Sequence, residues 1–223
     1  VAAAAALAGC SSGGSGGSAV PASANGNGVE AMGATAIVAA SKAAAEAAAS
    51  VRVKGTADGS DIDARLSADV ADVKLVHTGE HVEVLRVGTD HFLQGDAAFW
   101  TQAANATAAA KLAGKWVRLT ADQAKSYEQF LSVPAFFDGM LQSTGTPTKG
   151  GTSTVDGTKV VTLTDTDGSK LYVATTGKPY PLKVANAGTG GGQVMMTDWN
   201  VPITDLTAPP AGSVVDPSTL TGG

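Results

Sequence analysis

The sequence predicts an α+β domain in which helices gather on one face of an antiparallel sheet. Three observations point there. First, Ile62, Ala64, Leu66, Ala68 and Val70 alternate with Asp61, Asp63, Arg65, Ser67 and Asp69. That period of two marks a strand with one dry face and one wet face, as antiparallel sheets have. Second, two groups of short strands are punctuated by Gly-containing turns. Third, an Ala-rich and then aromatic-rich helical stretch lies between the two groups. Helices segregated from strands along a chain indicate α+β rather than α/β layering.

The chain opens on an apolar run, residues 1–9, that ends in Leu7-Ala8-Gly9 and meets Cys10. Such a run reads as the tail of a secretory signal peptide and is set aside from the fold. The Met and basic segment expected of such a leader would precede Val1. Leu7-Ala8-Gly9-Cys10 resembles the lipobox of bacterial lipoprotein precursors. The resemblance implies cleavage before Cys10 and acylation of its sulfur. Cys10 is the only cysteine, so no intrachain disulfide forms. Two or three acyl chains, at about 0.8 kcal/mol per buried CH₂, make a durable anchor. No later stretch has the roughly 18 apolar residues that a spanning helix needs. The expected location is therefore the cell envelope, lipid-anchored on the outer face of the cytoplasmic membrane. Residues 10–28, almost all Ser, Gly, Ala and Asn, are expected to be a flexible tether. Gly13-Gly14-Ser15-Gly16-Gly17 matches a hydrolase elbow by letter only, because that motif needs a strand-to-helix turn.

Residues 29–216 are expected to form one domain, with 217–223 as a C-terminal tail. Residues 29–49 read as a helix rich in Ala, with Lys42 and Glu46 four apart. Its apolar side is expected at Ala36, Ala40, Ala43, Ala44 and Ala47. Strands are expected at 61–70, 73–76, 82–87, 91–94 and 116–119. Helices follow at 98–112, 121–131 and 134–141. The second strand group covers 160–164, 170–174, 182–185 and 193–199. Asp165-Thr166-Asp167-Gly168 is a hairpin turn of the Asp-Gly kind.

Composition narrows the function. A net charge of −5 with no Lys/Arg stripe argues against nucleic acid. His77, His81 and His91 lack the set of ligands that zinc requires, so no metal is expected. The Asp165–Gly168 turn lacks the remaining oxygens of a calcium loop. No phosphate-binding Gly motif is present, and no cofactor is expected. No nucleophile and base stand at a recognisable spacing.

Several segments together resemble the LppX/LprG-type lipoproteins, which are similar to the lipoprotein carrier LolA. They are the lipobox, the tether, Val87-Gly88-Thr89-Asp90-His91-Phe92-Leu93-Gln94-Gly95-Asp96 followed by Phe99-Trp100, and Gly114-Lys115-Trp116-Val117. Pro179-Tyr180-Pro181-Leu182, Asp198-Trp199-Asn200-Val201-Pro202 and Ala208-Pro209 complete the pattern. His91-Phe92 and Gln94 depart from the usual Tyr and Lys. The resemblance implies a curved antiparallel half-barrel that wraps helices around an apolar cavity for acyl chains. The cavity wall is expected at Leu66, Ala68, Val70, Phe99, Phe130, Leu131, Phe136, Phe137, Met140 and Leu141. From the residues alone, the same aromatic segment would equally fill a core without a cavity.

Three function classes follow. The first is a carrier or chaperone for acyl chains of a lipid or glycolipid. The second is a structural or regulatory lipoprotein that binds another envelope protein. The third is a hydrolase with a triad invisible in sequence. The first is the expected one, and no enzyme activity is expected.

Overall fold

A computed structural model describes residues 26–142, 145–188 and 190–216. Cys10, the leader, nearly all of the tether and the 217–223 tail lie outside the described residues. Residues 26–28, placed at the end of the tether, are already held by the domain. The Asn27 backbone N–H donates to the Thr175 carbonyl at 2.8 Å, and its side-chain amide donates to the Ala174 carbonyl at 2.8 Å.

The first strand group is a meander of β1 (Ser50–Ala57), β2 (Ser60–Ser67), β3 (Val70–His77), β4 (Glu80–Val87), β5 (Asp90–Gly95) and β6 (Trp116–Arg118). The second is β7 (Thr148–Val155), β8 (Thr158–Thr164), β9 (Lys170–Ala174), β10 (Pro181–Asn186) and β11 (Gly192–Thr197). β11 pairs antiparallel with β1, with Val53 opposite Met196, and this joint fuses both meanders into one curved, unclosed sheet. Gly55 makes the joint possible. A Cβ there would sit 2.0 Å from the Gln193 carbonyl oxygen, and its φ is +151°.

The expected strand over 61–70 is corrected. β2 stops at Ser67, Ala68 and Asp69 form a two-residue turn, and Val70 begins β3. The turn pairs Leu66 with Ala71, so the inner face continues on odd-numbered residues in β3. Ala68 is therefore exposed at the turn, and Val70 lies on the outer face with Ser67. Neither bounds the interior. The alternation ran on through the turn because Ala and Val happen to keep its phase.

The inner face is covered by helices. Helix α1 (Ala34–Glu46) follows a short 3-10 turn at Val29–Ala31. Its buried side is Ile37, Ser41 and Ala45, not the expected Ala36, Ala40, Ala43, Ala44 and Ala47. Ala tolerates any phase, so the lone Ile37 sets it. Ile37 packs with Val161, Leu163 and Val173 of β8 and β9. The expected helix 98–112 is two helices, α2 (Ala97–Ala103) and α3 (Ala106–Leu112), broken where Asn105 caps the second. Its side-chain oxygen accepts the Ala108 N–H at 2.9 Å. Likewise 121–131 divides into α4 (Ala121–Lys125) and α5 (Glu128–Leu131), and α6 (Val133–Met140) follows. Thr120 and Gln123 form a reciprocal capping box at the start of α4.

Beyond β11 the chain crosses the outer face as an extended strap. Ser50 Oγ donates to the Val201 carbonyl at 2.6 Å, and Arg65 donates to Asp205 at 2.6 Å. The strap ends in β12 (Val214–Val215), which pairs parallel with β6. Leu85 and Phe92, outward by register, are buried on this side of the sheet. Arg52 grips Asp63 on the same face with two hydrogen bonds of 3.0 and 2.8 Å. This guanidinium holds the Asp63 carboxyl below the usual carboxylate range.

Candidate functional site

The inner face is filled at its centre and grooved on its flanks. Along α5 and α6, Leu131, Val133, Phe137 and Leu141 form the buried stripe. From Val133 the spacing is four and four, which puts these side chains on one helical side. They meet Leu66, Val73, Val84, Val53 and Met196 in one apolar cluster. Phe137 continues into an aromatic series. Its ring lies 5.4 Å from Phe136 and 5.3 Å from Trp199, and Trp199 stacks on Tyr180 at 4.3 Å. Trp199 follows the end of β11, whose Thr197 lies opposite Arg52, and packs half-buried against this cluster.

A groove of about 350 Å³ lies between the sheet and the α5–α6 segment. Ile62, Val73 and Leu75 of β2 and β3, with Val184 and Val194 of β10 and β11, form its floor. Phe130, Ala135, Phe136, Gly139 and Met140 form its roof. Asp58, Gln129 and Asn186 supply its polar lining. Phe130 is 41 % exposed, an unusual position for a side chain of that size. A smaller groove of about 150 Å³ adjoins it, with Val38, Leu141, Leu163 and Leu171 on its apolar side and Gln142, Asp165, Asp167, Ser169 and Lys170 on its polar side. Met140, Val184 and Asn186 border both. A third cleft, about 310 Å³, lies at the opposite flank among Leu93, Trp100, Leu112, Val117, Leu119 and Tyr127. Burial there pushes the Tyr127 hydroxyl pKa upward.

Polar contacts hold the α5–α6 roof in place. Arg86, on the inner face opposite Ala71, donates to the Leu131 carbonyl at 3.1 Å, the Ser67 carbonyl at 2.7 Å and the Ala68 carbonyl at 2.6 Å. The guanidinium thus ties the end of α5 to the β2–β3 turn. Lys42 of α1 pairs with Asp138 of α6. His91 Nε2 lies 3.6 Å from a Glu128 carboxyl oxygen on α5.

The expected wall residues divide into four sets. Phe130, Phe136 and Met140 line the larger groove, and Met140 and Leu141 line the smaller. Leu66, Leu131 and Phe137 are fully buried in the central cluster. Phe99 lies apart from both grooves, flat against Gly95, where a Cβ would meet its ring at 2.2 Å. Ala68 and Val70 are outside the interior altogether. Sequence reasoning missed Leu75, Val184 and Val194 as floor residues. Their alternation was visible, but their convergence depends on β11 lying beside β1. The histidines do not converge: His77 Nδ1 faces Ser60 Oγ at 2.9 Å, and His91 Nδ1 faces the Thr89 carbonyl at 3.1 Å. Among the described residues, no three His, Cys, Asp or Glu side chains are placed to share a metal. Among them too, no helix is long and apolar enough to cross a membrane.

No protein-family model matches the chain, and no curated protein matches it either. Solved structures do. The chain is similar to LprF from Mycobacterium bovis, with a TM-score of 0.53 and 13% sequence identity over 78% of this chain and 96% of that one. The Mycobacterium tuberculosis lipoprotein LppX aligns with a TM-score of 0.49 and 15% identity, over 76% of this chain and 98% of LppX. At these identities the likeness is one of fold. The resemblance to LppX/LprG-type lipoproteins read from the sequence is thus met by the structure, and the chain has the fold of LprF.

Proposed function

We propose that the protein is a cell-envelope lipoprotein that binds lipid acyl chains in the groove beneath α5–α6 and acts as their carrier or chaperone. The observation that carries this reading is the groove itself. Its floor is built from Ile62, Val73, Leu75, Val184 and Val194, and its roof from Phe130, Phe136 and Met140. Each CH₂ moved from water into such a site contributes roughly 0.8 kcal/mol. Long-chain lipids or glycolipids therefore outcompete small polar ligands. Acylation at Cys10 would hold the domain on the outer face of the cytoplasmic membrane, with the intervening polar residues as spacer.

The second reading is a lipoprotein that docks another envelope protein without a lipid ligand. The fully buried Leu131 and Phe137 favour it, since they leave the centre of the inner face closed. One experiment separates the two. The full chain carrying Cys10→Ser, so that it bears no acyl group of its own, is purified without detergent and extracted with organic solvent. Mass spectrometry of the extract detects stoichiometric acyl lipid under the first reading. An extract free of lipid, with no uptake on incubation with lipid, overturns it in favour of the second.

A further inference from the structure

We infer that the lipid held in the larger groove carries a zwitterionic headgroup, a phosphate joined to an amine, and that this head sits against the polar side of the smaller groove. The inference rests on the acyl-binding reading above and deepens it. The two grooves share Met140, Val184 and Asn186, so a molecule with its acyl chain in the larger one has its head beside the smaller. Their linings differ in character. Floor and roof of the larger are apolar, whereas Gln142, Asp165, Asp167, Ser169, Lys170 and Asn186 border the smaller. An apolar cleft that runs into a polar one matches the two halves of an amphiphile.

The β8–β9 turn holds the polar side in place. Ser169 Oγ donates to Asp167 at 3.1 Å and accepts the Ala187 N–H at 3.3 Å, which ties the turn to the end of β10. The Ser169 N–H donates to the other Asp167 oxygen at 2.8 Å, and the Thr166 N–H donates to Asp165 at 2.7 Å. A carboxylate has about four acceptor sites, so these bonds orient Asp167 and leave it able to accept more. Lys170, the first residue of β9, is exposed, and its ammonium has no ion pair or hydrogen bond among the described residues. The side-chain amides of Gln142 and Asn186 have none among them either. Lys170 and these amides thus offer donors to an anionic group, beside carboxylates that attract a cationic one. A phosphate joined to an ammonium uses both. A head with negative charge alone meets two carboxylates against one ammonium, on a chain of net charge −5. An uncharged head gains from neither sign.

The test compares three lipids that share one acyl chain and differ in the head: lysophosphatidylethanolamine is zwitterionic, lysophosphatidylglycerol anionic and monoacylglycerol uncharged. Each is titrated by calorimetry, below its micellar concentration, into the full chain carrying Cys10→Ser. The zwitterion is expected to bind about three- to tenfold tighter than either of the others, the margin that two exposed charge contacts provide. Salt at about 0.5 M narrows that margin. Asp167→Asn keeps an oxygen for the Ser169 N–H, and is expected to weaken the zwitterion and strengthen the anion until the two bind within about twofold of each other. Lys170→Gln is expected to weaken both phosphate lipids by a similar factor and leave monoacylglycerol unchanged. Thermal melts report whether each variant stays folded, and either variant suffices if the other does not. Equal binding of the three lipids, or tightest binding of the anionic or the uncharged one, overturns the inference and leaves acyl binding standing. So does an unchanged preference in the folded variants. Binding of none of them by any form overturns the acyl-binding reading together with this one.

Discussion

Phe136 and Phe137 are neighbours in sequence, yet the fold gives the aromatic segment two different duties, and Phe137→Ala against Phe130→Ala separates them. Phe137 is 0 % exposed at the centre of the inner face, in contact with two other rings. Removing it costs about 3–5 kcal/mol through lost transfer energy and the cavity left behind. Against a total stability of about 5–15 kcal/mol, that is a large fraction. A loss of about 4 kcal/mol over a urea slope of about 2 kcal/mol/M lowers the unfolding midpoint by roughly 2 M. Phe130 is 41 % exposed on the groove roof and supports nothing beneath it. Phe130→Ala is expected to change stability by less than about 1 kcal/mol. It removes the surface against which one or two CH₂ groups would rest, at about 0.8 kcal/mol each, so acyl affinity falls about four- to fifteenfold. Urea unfolding followed by circular dichroism, with acyl-probe titration of each variant, gives both numbers. The division fails if Phe130→Ala unfolds as readily as Phe137→Ala, or if it leaves affinity untouched.

Other consequences follow from named contacts. Gly55→Ala puts a methyl group into the Gln193 carbonyl at the β1–β11 joint; strain at such a backbone position costs about 1–3 kcal/mol and the clash adds to it, so the thermal midpoint falls by several degrees. Ala68→Trp, on an exposed turn, changes stability by no more than about 0.5 kcal/mol and leaves acyl binding as it was, read by the same titration. Asp63 has its folded pKa lowered, first by the Arg52 hydrogen bonds, so its contribution is present above the unfolded value of about 3.9 and is lost as the pH falls from there through the lowered one. Asp63→Asn therefore flattens the dependence of the melting temperature on pH below about 4, and an unchanged slope would show that the pair contributes nothing.

Much of the sheet was legible because alternation survives in the sequence whatever the strand order. Ile62, Ala64 and Leu66 faced inward as their period required. The same signal misled at Ala68 and Val70, since a two-residue turn reverses the chain without marking itself in hydrophobicity. β1 was readable in Val51 and Val53 but went unassigned. β7 was not readable at all: Thr148–Val155 is an edge strand, nearly all exposed, with no dry face to leave a period. The break after Ala103 was hidden by flanking Ala residues that suit helix throughout, and the one after Lys125 by the absence of any Gly or Pro to mark it. In the aromatic segment Phe137 and Leu141 were expected in the cavity wall, and their spacing by four from Val133, the signal that puts them in the core, went unused. The groove was less accessible, because its floor combines β2–β3 with β10–β11, and only the long-range β1–β11 pairing brings them together.

The location of a bound chain is the most direct test of this account. An acyl probe with a photoreactive diazirine near its chain end, irradiated on the protein and mapped by peptide mass spectrometry, reports which side chains touch it. The account predicts adducts on Phe130, Phe136, Met140, Leu75 and Val194, suppressed by excess unlabelled lipid. Adducts confined to the outer face, or to the cleft of Leu93, Trp100 and Tyr127, would contradict it.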